Sequence, residues 1–435
     1  MKTQFTKSAH LQGSTLLITL AVLVILGLGI ASYLTLVQSQ HRLVAESEAW
    51  NTALILAEAG TEEGMAQINV VFGTNYISST TSNWGTPSGG IFGPRVGTLT
   101  NGSYSAIIIQ GTPSPTIVAT GYAAVPFNSI PIQRIVQVTT TNTPAFGLAM
   151  AVQQDITTKG NNMTVDSYDS SDPTHSTNGM YYAPWRKAGG DIASVSGLVN
   201  VQNANIYGKL KTGPGGSYSI GANGTVGDLN WNTKGSIEPG WYVNDFNGIF
   251  RDVEPPYTSG YSLPSGTGTN TYALGAGDYY VNGDLVLSQN DTLYVGGNAR
   301  LYVTGNINMK SQNSCFITIG PGASLKIYCG TTDGPAVSAQ LTQVNTSGNA
   351  STFQYWGLPS NNSITWSGNN TYVGTVYAPE ATFSAGGGGS TDFDFQGACV
   401  VYSVSLNGHF LFHFDENLSR MGAPTGFSVI SWKEL

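Results

Sequence analysis

Residues 13–37 read GSTLLITLAVLVILGLGIASYLTLV, and from Leu16 to Val37 they hold 22 residues without a charge. At about 1.5 Å per residue, a helix of that length crosses a hydrocarbon core of roughly 30 Å. Before it stands a short basic leader with Lys2, Lys7 and His10 and no acid. Behind it, His41 to Asn69 reads as a polar, acidic helix without Gly or Pro before Gly60. A secretory signal peptide would have an apolar core of about 7–15 residues ending in small residues. Ala31-Ser32 could serve as that end, but the apolar run continues through Tyr33, Leu34, Leu36 and Val37. No cysteine follows the run, which excludes lipoprotein processing. A plain signal anchor accounts for the apolar run and leaves the second helix unexplained.

Gly13-Ser14-Thr15-Leu16-Leu17 opens the run, and Ala57-Glu58-Ala59-Gly60 follows about 45 residues later. Together these motifs resemble the start of type IV prepilins, in particular the PilX-type minor pilins, over residues 1 to about 70. The resemblance implies a leader over 1–13, cut between Gly13 and Ser14 by a prepilin peptidase. It also implies a helix over 14–72 that sits in the inner membrane and packs against other pilins or pseudopilins. Ordinary pilins carry Glu five residues after the cut, where it neutralises a neighbour's terminal amine; here that position is Ile18, and Ser14 stands where Phe is usual. An unpaired amine is costly in lipid. The missing Glu therefore favours a tip or initiating position over repeated incorporation.

Charged residues make up 10% of the chain, against about 25% in an average soluble domain. Gly, Ser, Thr and Asn take their place, which excludes a cytosolic helical enzyme and suits an exported, turn-rich β protein. The net charge of −8, without a Lys/Arg cluster, argues against nucleic acid and anionic membrane surfaces as partners. The three cysteines, Cys315, Cys329 and Cys399, match no zinc spacing. Cys315 and Cys329 could bridge neighbouring strands, or all three could be small core residues.

On the second helix Leu43, Trp50, Leu54 and Ala57 form an apolar stripe. Residues 73–95 read as a loop, and the runs Tyr104–Ile109, Thr116–Tyr122 and Arg134–Thr140 as strands of a small antiparallel sheet, so that 73–144 is a pilin-like head. From residue 145 to 435 the texture is one of short strands with a repeat of 20–23 residues. Asn205–Leu210 recurs from Thr225, Tyr279–Leu285 recurs from Leu301, and Gly374–Tyr377 recurs from Gly397. Such a period with Gly and Asn corners predicts a right-handed parallel β-helix, interrupted by insertions at 166–190, 231–275 and 330–370. Phe410, Phe412 and Phe414 read as a plug for its open end. This half resembles an uncharacterised bacterial β-helical domain found behind PilX-type starts. The fold class expected is thus mainly β, led by one long transmembrane helix.

Chemistry is sparse. His409 and His413, four apart on a strand, would sit about 13 Å from each other and cannot share a zinc ion; they read as exposed neighbours of the buried Phe row. Asp166, Asp169 and Asp172 form a weak calcium candidate against an ordinary Asp/Ser turn. Asp278, Asp284, Arg300 and Lys326 could line a groove of a polysaccharide-active enzyme, though no catalytic motif accompanies them. Tyr181, Tyr182, Trp185, Trp241, Tyr242, Tyr355 and Trp356 fall in the insertions and could face a surface glycan or protein ligand. The expectation is a non-enzymatic pilin-like subunit of a type IV pilus or type II secretion filament, without cofactor, that presents its β-helix for adhesion or recognition. A signal-anchored surface adhesin and a tethered polysaccharide-active enzyme are the alternatives.

Overall fold

The computed structural model describes residues 12–69, 84–85, 88–111, 114–126, 129–160, 163–309, 315–346, 348–367, 371–386, 393–420 and 426–435. Residues 1–11, most of the expected leader over 1–13, lie outside these. The chain divides into two compact units, one of residues up to Asn142 together with Gly426–Leu435, the other Thr143–Thr425.

The first unit begins with one uninterrupted helix, α1, Gln12–Ile68, of 57 residues, about 86 Å long at 1.5 Å per residue. No proline interrupts it, and Leu, Ala and Glu dominate its length. Its apolar half is long and apolar enough to cross a membrane, and none of it is buried. Its other half carries a five-stranded antiparallel sheet in the order β1 (Ile91–Leu99), β2 (Gly102–Ile109), β3 (Thr116–Ala123), β4 (Ile132–Thr143) and a closing strand, Gly426–Glu434. β1 begins inside the stretch 73–95 expected to be loop. Its register slips between Phe92 and Arg95, around Pro94, and only an edge strand tolerates a residue without an N–H there. The closing strand lies within the expected 145–435 region but joins this sheet instead.

Alternate residues of β3 face the helix, and the contact is closer than the expected stripe implies. Leu43 and Trp50 are exposed, whereas Ala49, Ala53, Leu56, Ala57 and Ile68 are buried. Small residues let the backbones approach. A Cβ on Gly121 of β3 would lie 2.0 Å from the Ala53 carbonyl oxygen, and one on Gly64 would lie 2.8 Å from Ile117 Cγ2. A Cβ on Gly60, the last residue of the Ala57-Glu58-Ala59-Gly60 motif, would meet Ala119 and Tyr104 at 3.0 Å. The motif is therefore a packing device here: Ala57 and Gly60 face the sheet while Glu58 is exposed. Around it, Ala106, Ile108, Ile117, Val136 and Val138 complete the core with Trp84 and Phe92. Two polar latches add to it. Arg95 and the Tyr104 hydroxyl both donate to Glu63. Arg134 forms a bidentate pair with Glu434 of the closing strand and lies 4.8 Å over the Trp50 ring.

In the second unit, 26 strands among the described residues form one hydrogen-bonded system, and pairing from one repeat to the next is parallel. The repeats seen in the sequence are ladder partners: Asn205 pairs with Thr225, Tyr279 with Leu301, and Gly374 with Gly397. Residues 330–370 are not an insertion, because Phe353–Gly357 and Asn361–Ser367 are strands of the ladders. One inward row runs Tyr279, Leu301, Ile327, Tyr355, Val376, Cys399, Met150, Ile192 and Leu210, each the register partner of the next. All nine are buried.

That row is out of chain order. It climbs from 279 to 399, then passes to 150 and continues to 210. The unit is thus two stacks. The first starts at Met150–Val152 and ends at Tyr242–Val243; the second starts at Tyr272–Leu274 and ends at Phe410–Asp415. They meet at a seam where Cys399 pairs with Met150, Val404 with Ile156 and Phe412 with Val165. The Phe row expected to plug an open end is therefore internal: Phe412 stacks on Phe395 at 4.4 Å and abuts the first stack. Between the stacks, residues 244–271 run along an outer aromatic row, Tyr280, Tyr302, Tyr328, Trp356 and Tyr377, whose members are register partners. Arg251 N–H donates to the Tyr377 hydroxyl, and the Tyr257 hydroxyl donates to the Tyr279 carbonyl.

Candidate recognition site

At the seam, alternation along Thr164–Tyr168 points Val165 inward and Asp166 outward, and neighbouring strands do the same with His413 and Gln396. Gln396, His413 and Asp166 thus form a lateral row across three paired strands. Residues 169–190 fold over this row. Tyr181 stacks on the His413 ring at 3.5 Å and donates its hydroxyl to Asp166 Oδ2 at 2.8 Å. The other oxygen of Asp166 is 2.5 Å from His413 Nδ1, and Asp394 lies 3.6 Å from Nε2. His413 is 2% exposed and Asp166 fully buried. The expectation that His413 is exposed is therefore corrected, because the strand Phe410–Asp415 is covered on both faces. His409 precedes that strand.

The same segment is fastened at its other points. Arg420 donates to both oxygens of Asp169 at 2.6 Å, Ser170 N–H donates to Asp415 Oδ1 at 3.0 Å, and Lys187 pairs with Glu416. Asp172 closes a local turn by accepting from Thr174 and contacting His175 at 2.9 Å. Asp166, Asp169 and Asp172, the weak calcium candidate, each serve a different partner. Among the described residues no three His, Cys, Asp or Glu side chains gather as a metal site.

On this fastened segment a 3-10 turn, Ala183–Trp185, carries two rings outward. Tyr182 is 45% and Trp185 41% exposed, and they meet edge to face at 5.0 Å. Beside them the Arg186 guanidinium lies over the Tyr207 ring at 4.6 Å. Two amphipathic rings held open on a braced loop make a platform for a flat or apolar partner. The other aromatic candidates fare differently. Tyr355 is in the core with its hydroxyl on Asn361, and Trp356 is packed between Tyr328 and Tyr377. Trp241 and Tyr242 are half-buried, with Tyr242 against Tyr218 and Thr212.

Cys315, Cys329 and Cys399 are free and buried, as the reading of three small core residues has it, and the alternative Cys315–Cys329 bridge is not formed. The strands beside those two, Phe316–Ile319 and Ser324–Cys329, belong to different ladders and so project their side chains from different walls. Burial pushes the Cys315 thiol up to about 11 and the Cys329 thiol up to about 12, which leaves both unreactive at neutral pH. Of the groove candidates, Asp278, Arg300 and Lys326 line up as successive register partners, and Asp284 stands apart. Asp278 is held bidentately by Arg300, while Asp284 accepts from the Asn306 backbone at a corner. Lys326 follows Arg300 in register and is exposed.

The carboxylates here set the acid response. Burial raises the pKa of Glu63 and Asp169, but the bonds from Tyr104 and Arg95, and from Arg420 and Ser171, outweigh it and hold both below the usual range. Arg134 does the same for Glu434. Lowered native values mean stability that is present above the unfolded value of about 4 and lost as pH falls through the native ones. Asp415, pushed up by burial, has the opposite sign and partly offsets the loss. The thermal midpoint should therefore drop below about pH 4, and Glu63→Gln should flatten that drop in melts taken across the range.

A family model described as a domain of unknown function (DUF7305) matches residues 251–421, most of the connector and the whole second stack. No curated protein matches the chain. Among solved structures, the competence-associated pilin ComZ from Thermus thermophilus is matched at 12% identity with a TM-score of 0.26, over 89% of this chain and 97% of that one. At that distance the likeness carries no argument, and function is argued from this chain's own residues.

Proposed function

We propose that the chain is a pilin-like subunit, a minor pilin of PilX type, that displays a right-handed β-helix for adhesion or recognition. The observation that carries this reading is the division of labour along α1. From Leu16 to Leu36 its large apolar residues are all exposed, whereas Ala53, Leu56, Ala57 and Ile68 lie under a small antiparallel sheet. A soluble helix would not leave such a stretch bare. One rigid rod that spans a membrane and carries a head on its far half is what insertion beside other pilin helices requires. The parallel ladders with a 20–23 residue repeat support the β-helix.

In this reading the prepilin peptidase removes residues 1–13, and the subunit waits in the inner membrane with its sheet units outside. It then enters a pilus or secretion filament at its tip or during initiation, since Ile18 offers no carboxylate to a neighbour's amine. The exposed Tyr182–Trp185 pair meets a surface glycan or protein. In this reading the role is non-enzymatic, and the hydrogen bonds that Asp278 and Asp284 make to Arg300 and Asn306 are consistent with structural duty. The test is the N-terminal mass of the protein from its native membrane, with and without the peptidase. A chain starting at Ser14 only when the peptidase is present is the expected result. An intact Met1, or a cut near Ala31, would overturn the pilin reading.

A further inference from the structure

Within each stack, successive ladder partners are close in sequence and tied by short corners. At the seam they are not: Asp166 and His413 are 247 residues apart. Closing so long a loop has an entropic cost that no neighbouring corner shares, so the seam is where the parallel unit opens most readily. Beside the three ladders that join the stacks there, the side-chain contacts that brace it come largely from one short segment. Residues 169–190 belong to the first stack, yet Tyr181 stacks on His413, Ser170 binds Asp415, Asp169 binds Arg420 and Lys187 binds Glu416. All four of those partners lie at the end of the second stack.

We propose that residues 169–190 are a clasp that closes the seam, and that the orientation of the exposed Tyr182–Trp185 pair is coupled to that closure. Tyr181, which stacks on His413 across the seam, directly precedes Tyr182, and Tyr182 caps the 3-10 turn that carries Trp185. An open seam therefore releases the aromatic pair, and a partner that holds the pair in its present orientation holds the seam shut, as linkage requires. The inference is independent of the membrane reading and of what the pair binds.

Hydrogen exchange of the full chain in detergent tests it, with Tyr181→Ala as the variant. The expected result is exchange at least about tenfold faster in both 164–190 and 410–420, with the ladders through 277–281, 298–303 and 324–329 unchanged, since opening would be local. A change confined to 169–190 would show that the segment does not hold the seam. Loss of protection throughout the unit would show a general structural role; either outcome overturns the proposal. Leu411→Cys with Thr164→Cys, which are register partners, supplies a second arm. With the seam bolted by that disulfide, Tyr181→Ala should loosen 169–190 alone; loosening of 410–415 despite the bolt would also overturn it.

Discussion

Replacing Gly121 with leucine is expected to strip the small sheet from its helix. The position has no room for any side chain, because even a Cβ would lie 2.0 Å from the Ala53 carbonyl oxygen and 2.6 Å from the Ala57 nitrogen. Both obstacles are helix backbone and cannot turn aside as a side chain could. Relief requires the sheet to lift, and that exposes Ala106, Ile108, Ile117 and Val136 together. Overpacking alone costs about 1–3 kcal/mol, and lost burial over several core residues takes the total to roughly 4 kcal/mol or more. Thermal melts and limited proteolysis of the detergent-solubilised chain would show it as early cleavage within 91–143. Full stability in this variant would mean that helix and sheet are not packed as described.

The second large effect is expected at the seam. Asp166→Ala removes the acceptor shared by His413 and the Tyr181 hydroxyl, in a place where His413 is 2% exposed. Without it the His413 ring and the Tyr181 hydroxyl lose their shared partner in a buried place, at about 1–3 kcal/mol for each group left unsatisfied. Asp166→Asn keeps the shape and one of the two acceptor oxygens, so it should cost less than the alanine variant, by about one retained hydrogen bond. Arg300→Ala is the internal comparison. Its pair with Asp278 is 44% and 41% exposed, so losing it should cost no more than about 1 kcal/mol. Chemical denaturation of the three variants measures all of this, and equal losses for Asp166→Ala and Arg300→Ala would contradict the burial argument.

Much of this organisation is legible in the residues. A 22-residue charge-free run has few fates, and the Gly-punctuated strands from Tyr104 to Thr140 alternate plainly enough to be read as a sheet. Repeats at 20–23 residues locate register partners correctly because a parallel ladder must align like with like. The expected helix stripe holds at Leu54 and Ala57, which pack on the core of the sheet, and fails at Leu43 and Trp50 for a physical reason. Hydrophobicity marks Leu43 and Trp50, but the sheet sits on Ala53, Ala57, Gly60 and Gly64, where small volume matters more than apolarity. The closing strand was missed because nothing local tells a last strand that its partner lies nearly 300 residues back, where Arg134 meets Glu434.

The site shows the same boundary. A His and an Asp 247 residues apart carry no common signal, and alternation on Phe410–Asp415 makes His413 look exposed unless the covering segment is known. By itself, then, the sequence determined what each stretch can do alone: span a lipid layer, pair as a strand, turn a corner, repeat. Those are properties of spacing, propensity and burial within some tens of residues. Only the tertiary structure decided which rung follows which, that the second stack ends against the start of the first, and that Tyr181 closes over His413. Contacts between distant segments are chosen by which surfaces fit once both have formed, and that choice leaves no periodic trace along the chain.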